Sequence, residues 1–107
     1  IPGAQFKRMF GGLGVFRDGV MFALVARERL YFKADAETEP RFVEAGAEPF
    51  AYRGKNGEVR LGYWSAPDEA LDDPELFEEW ARLALQAAMR KAAAKSKRPR
   101  RAKPAAS

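Results

Sequence analysis

Leu13-Gly14-Val15-Phe16-Arg17-Asp18-Gly19-Val20-Met21-Phe22-Ala23-Leu24-Val25-Ala26 is the stretch whose reading decides the fold. Two apolar runs flank Asp18-Gly19. Both central residues of a tight two-residue hairpin loop need positive φ, and Asp-Gly tolerates that best, so the pattern predicts two antiparallel strands. Working outward, Phe6, Met9 and Phe10 lead into Gly11-Gly12-Leu13-Gly14, a segment that must turn or bulge. On the other side, a polar turn at Arg27 to Arg29 precedes Leu30-Tyr31-Phe32, a further strand. Connections this short make sequential strands antiparallel neighbours.

The remaining segments complete a two-layer plan. Thr38 to Ala45 reads as a short helix, with Thr38 as its cap, Pro40 in its first turn, Gly46 as its stop, and Phe42 and Val43 facing the core. Phe50 to Arg53 and Val59 to Trp64 alternate with period two around the turn Gly54-Lys55-Asn56-Gly57, giving a second hairpin. Asp68 to Leu71 suits one helical turn after Pro67. Asp73-Pro74-Glu75 then starts a long helix. Asp73 accepts from free N–H groups, and Pro74 has no N–H to leave unpaired at the first position. Leu76, Phe77, Trp80, Leu83, Ala84, Ala87 and Ala88 form its apolar stripe. The helix is expected to persist to about Lys91–Lys95. The expected fold class is α+β: a two-layer arrangement in which a mainly antiparallel sheet (β-hairpins, short helix, β-hairpin) carries the long C-terminal helix on one face. Residues 5–92 form the domain, and residues 93–107 form a basic, disordered tail.

Composition excludes several chemistries. The 107 residues include no Cys and no His, so neither disulfides nor thiol or imidazole catalysis are available, and the usual nitrogen and sulfur metal ligands are missing. No catalytic, cofactor-binding or metal site is expected, and the chain reads as a non-enzyme. The longest apolar run, Val20 to Ala26, is far short of the roughly 20 residues of a membrane span. No signal-peptide pattern opens the chain, and the expected location is the cytoplasm. The charge is split sharply. Residues 1–89 carry 11 Lys or Arg against all 15 acids, a net of −4, whereas residues 90–107 carry eight cations and no acid. The basic character therefore belongs to the end of the chain.

Four features invite a functional reading. Gly11-Gly12-Leu13-Gly14 could cradle phosphate, but it lacks the usual glycine spacing and no helix follows it, which favours a simple bend. Asp72 and Asp73 could be paired acids, although capping accounts for Asp73. Phe50, Tyr52, Tyr63 and Trp64 could stack nucleic-acid bases, with Arg53, Lys55 or Arg60 beside them, yet alternation sends about half of them into the core. The tail is the strongest candidate: Lys95, Lys97, Arg98, Arg100, Arg101 and Lys103 would bind phosphate backbones by counterion release without reading sequence. The alternatives are an inert solubilising end, or contact with acidic lipids or proteins.

Taken in order, the run Arg8-Met9-Phe10-Gly11-Gly12-Leu13-Gly14-Val15-Phe16-Arg17-Asp18-Gly19-Val20-Met21-Phe22-Ala23-Leu24-Val25, then Leu30-Tyr31-Phe32-Lys33 with Asp35, Pro49-Phe50-Ala51-Tyr52, Gly62-Tyr63-Trp64 with Pro67, and Trp80-Ala81 with Ala84, resembles the TfoX/Sxy N-terminal domain family. The resemblance covers roughly residues 6–92. It implies a small α/β fold with no catalytic motif. It also implies a regulatory role in natural competence, where named members act as co-activators with the cyclic-AMP receptor protein. Family members usually begin with a helix ahead of the MFGG segment. Only eight residues precede Met9 here, so that helix is absent or removed, which leaves part of the sheet needing another cover, such as a second copy of the chain. Two readings result: a regulatory adaptor that binds a protein partner (transcription machinery or itself) with nonspecific DNA contact through the tail, or a self-associating structural domain with no direct nucleic-acid role. An enzyme built on carboxylates and Arg residues is a third, supported only by the number of acids.

Overall fold

The computed structural model describes residues 3–9 and 11–97. Its elements are β1 (Gln5–Met9), β2 (Gly12–Arg17), β3 (Val20–Ala26), β4 (Arg29–Lys33), α1 (Glu39–Glu44), β5 (Pro49–Gly54), β6 (Gly57–Ser65), α2 (Asp68–Asp72) and α3 (Pro74–Lys97). The six strands form one sheet in the order β1-β2-β3-β4-β6-β5, with every neighbouring pair antiparallel. The α+β, two-layer reading holds. Among the described residues, no helix is long and apolar enough to cross a membrane.

The turns form where the sequence placed them. Arg17 pairs with Val20 across Asp18 and Gly19, whose φ angles are 52° and 82°. That is the positive-φ pair that the hairpin loop requires. The next turn has the same form without glycine: Ala26 pairs with Arg29 across Arg27 and Glu28, at φ 53° and 63°. The turn of the glycine run is at Gly11, at φ 71°, while Gly12 and Gly14 lie on β2 in close contact with its neighbours. A Cβ on Gly12 would lie 2.2 Å from the Val25 carbonyl oxygen, and one on Gly14 would lie 2.7 Å from the Met21 sulfur.

A bulge divides the side chains of β3 between the two faces. Val15 pairs with Ala23 and Phe16 with Met21, so Phe22 has no partner on β2. The extra residue breaks the alternation. Phe22 and Ala23 both join the helix-side core, while Met21, Leu24 and Ala26 join a cluster on the far side.

The helix-side core gathers Phe22, Phe32, Phe42, Ala70, Trp80 and Ala84. Phe42 is fully buried and lies 4.8 Å, centroid to centroid, from Trp80. Val43, expected to share the core, is 59% exposed. Successive helical residues point about 100° apart, and a single six-residue helix presents only one narrow stripe. Thr38 was expected to cap α1 with its side chain and does not. Its Oγ1 instead accepts from the Asp35 N–H at 3.1 Å, and Asp35 Oδ1 accepts from the Glu37 and Thr38 N–H groups. Asp73 behaves as expected: its Oδ1 accepts from the Glu75 N–H at 2.9 Å.

Among the described residues, only strands contribute to the far-side cluster. Tyr31, Phe50 and Tyr63 are buried there because the β5–β6 hairpin curls across that face. The Tyr31 and Phe50 rings meet edge to face at 4.9 Å, although their strands are separated by β6. Arg27 clamps the curl, donating to the Ala51 carbonyl at 3.1 Å with its guanidinium 5.4 Å from the Phe50 centroid.

Candidate nucleic-acid interface

The basic end of the chain begins on α3. The helix continues to Lys97, beyond the expected Lys91–Lys95 and into the segment read as tail. Ala92-Ala93-Ala94 are the best helix formers available, and Pro99 is the first residue that forbids continuation. Lys95 and Lys97 therefore lie on its last turns, and their side chains lie outside the described residues, as do Arg98, Arg100, Arg101 and Lys103.

Arg90 marks the boundary between body and basic end. Its Nε donates to Asp35 Oδ2 at 2.7 Å and its Nη2 to Asp35 Oδ1 at 3.0 Å, with the Glu37 carboxylate 3.3 Å from Nε. The bonded guanidinium, helped by the Thr38 and Glu37 N–H groups, holds the Asp35 carboxyl below its usual range against the opposing effect of burial. Asp35 thus ties the β4–α1 connection to the penultimate turns of α3. Arg90 is neutralised by this contact. Lys91, the next residue, is exposed, and the backbone runs on for roughly 10 Å to Lys97 at 1.5 Å per residue.

A buried cation lies close by. Lys33, only 7% exposed, donates from Nζ to the Leu61 carbonyl at 3.1 Å and lies 5.0 Å from the centroid of Tyr63. Burial pushes its pKa down, and the field of Lys91 adds to that. Gly62, at φ 79°, makes room, because a Cβ there would meet Lys33 Nζ at 2.9 Å. The Tyr63 hydroxyl donates to the Met21 carbonyl at 2.8 Å, and burial pushes its pKa up.

The other candidates resolve into structure. Gly12, Leu13 and Gly14 belong to β2, so a strand and not a helix leaves the Gly11 turn. Phe50 and Tyr63 are buried on the far side, whereas Trp64 packs on the helix side against Phe42 and donates to Glu39, so these three rings share no platform. The side chains of Tyr52, Arg53 and Arg60 lie outside the described residues. Asp73 serves α3 as a cap. Among the described residues, no group of three or more carboxylates is placed to hold a metal. Sequence reasoning missed the Lys33–Tyr63 pair and the Asp35–Arg90 contact. A lysine ending an apolar strand was the only signal for the first. For the second, Asp35 three residues before Thr38 announced a turn but not its partner 55 residues away.

The model of the TfoX N-terminal domain matches residues 1–88. The chain belongs to the TfoX N-terminal domain family. The DNA transformation protein TfoX1 of Aliivibrio fischeri is 37% identical over 73 residues, which is 68% of this chain and 32% of that relative. This TfoX-type domain therefore spans about a third of the length of the curated relative it matches.

Proposed function

We propose that this domain is a non-enzymatic, cytoplasmic regulatory module of bacterial competence. Its folded body binds a protein partner in the transcription machinery, and the basic end adds sequence-independent affinity for DNA. Family membership and a relative named for DNA transformation support the regulatory part. The charge boundary at Arg90 carries the DNA part. Every acid precedes residue 80, Arg90 is tied back to Asp35, and the cations from Lys91 onward continue past the body along α3. Flexible or helical cationic segments of this density bind phosphates by releasing counterions, and their affinity falls steeply with salt.

The test compares the intact chain with one in which Lys95, Lys97, Arg98, Arg100, Arg101 and Lys103 are each replaced by Gln. Substitution keeps Arg90 and its Asp35 contact, which truncation at Met89 would remove. Binding to random-sequence duplex DNA is measured at about 50 and 200 mM salt. The intact chain is expected to lose on the order of a thousandfold in affinity over that range if most of the six cations meet phosphates. The substituted chain should bind far more weakly at low salt and with a shallower salt dependence. Equal binding by both chains overturns the DNA contact while leaving the partner-binding reading in place.

A further inference from the structure

The helix-side face of the sheet is closed at its centre and open at one end. Phe6, Val15, Ala23, Phe32 and Trp64 are consecutive register partners across five strands. Ala23 and Phe32 are buried, and α3 packs mainly on β3 and β4. At the β1 edge the row emerges, and Phe6 is 64% exposed. Its neighbours Lys7 and Arg8 are exposed as well, and residues 3–17 carry three cations and no acid. This apolar, cationic end belongs to a body whose net charge is negative.

The α2–α3 corner has the opposite character. Residues 68–79 carry seven acids and no cation. Glu69 accepts from the Trp80 indole, Asp73 caps α3, and Glu78 and Glu79 pair with Arg82 and Arg41. Asp68, Asp72 and Glu75 are exposed with no ion pair to a described cation, and Leu71, 59% exposed, lies among them.

We infer that the β1–β2 end of one copy receives the α2–α3 corner of a second copy, head to tail, with Leu71 set against Phe6 and Asp68 and Asp72 against Lys7 and Arg8. Charge selects this arrangement over a symmetric one. A two-fold pairing of two β1 edges about this segment would bring the Lys7 and Arg8 of one copy beside those of the other, and like charges facing across strands are unfavourable. Opposite patches on one chain favour heterologous contact, which can extend because each copy keeps one free end of each kind. The inference uses none of residues 98–107, so it stands apart from the DNA reading.

The experiment follows the association of the full chain by analytical ultracentrifugation at low and high salt. The wild type should associate with rising concentration, and less so at high salt. Lys7→Glu with Arg8→Glu should weaken association at least about tenfold, as should Asp68→Lys with Asp72→Lys. An equimolar mixture of those two variants should associate again, because the unchanged β1 end of one meets the unchanged corner of the other and the two reversed surfaces also oppose unlike charges. A chain carrying all four reversals should associate again, which also shows that the substituted surfaces still fold. A monomeric wild type, self-association that survives either reversal, or a mixture that stays monomeric would overturn the inference.

Discussion

The two faces of the sheet are both buried, by different means. The helix side is covered by elements that carry their own instructions: a capped α3 with an apolar stripe, and α1 supplying Phe42. The far side is covered by the sheet itself, curled so that Phe50 reaches Tyr31, with Arg27 as the clamp. Local sequence can build the first kind of cover. The second exists only once strands distant in sequence have paired, and three of its key contacts join residues 19 to 42 positions apart.

The comparison is tested most severely by removing one ring from each side. Phe42→Ala and Phe50→Ala should each cost about 3–5 kcal/mol, read as lowered urea midpoints, because both rings are almost wholly buried. If the curl is part of the same cooperative unit, the two losses are similar and both unfolding transitions remain two-state. A much smaller loss for Phe50→Ala would make the curled hairpin an appendage to the helix-side core.

A smaller effect separates the ties at the two ends of the molecule. Replacing Asp35 by Asn should cost about 1 kcal/mol at neutral pH, since it removes a bidentate, partly buried pair with Arg90. The pH dependence follows from the depressed Asp35 pKa. The contribution is complete above the unfolded value near 3.8 and is lost as pH falls through the lower folded value. Thermal unfolding at pH 7 and pH 3 should therefore show a larger acid loss for the wild type than for Asp35→Asn. Equal losses would remove the Asp35–Arg90 contact as the tie of the α3 terminus.

The smallest effect belongs to the turn that feeds the far side. Glu28 has φ 63° without being glycine. Glu28→Gly should raise stability by roughly 0.5–1 kcal/mol, because a side chain in the left-handed region carries a steric cost that glycine avoids. Arg27 keeps its hold on Ala51 in that variant. A loss of stability would mean that the Glu28 side chain supports the turn.

Most of the fold was legible. Asp18-Gly19, Asp73-Pro74 and Asn56-Gly57 placed their turns or helix start because those residues have local conformational preferences strong enough to act alone. The β1–β2 bend was legible as a bend but not its tightness, since the close approach of Gly12 to the Val25 carbonyl depends on a neighbouring strand. Val43 was misplaced because residues 42 and 43 are both apolar, and only the position of α1 against Trp80 chooses between them. Of the candidate interface, the cations were visible as a run in the sequence. The point where the body ends was not, because it depends on Arg90 meeting Asp35.

By itself the sequence determined most of the elements, the antiparallel pairing of sequential strands, the absence of thiol and imidazole chemistry, and the separation of a −4 body from a cationic end. These are properties of single residues and near neighbours. Only the tertiary structure decided the β3 bulge that puts Phe22 and Ala23 on one side, the curl that buries Tyr31 and Tyr63, the burial of Lys33, and the exposure of Phe6. Each of those depends on which distant strand or helix arrives beside a residue, and a residue's own chemistry does not specify its neighbours across the sheet.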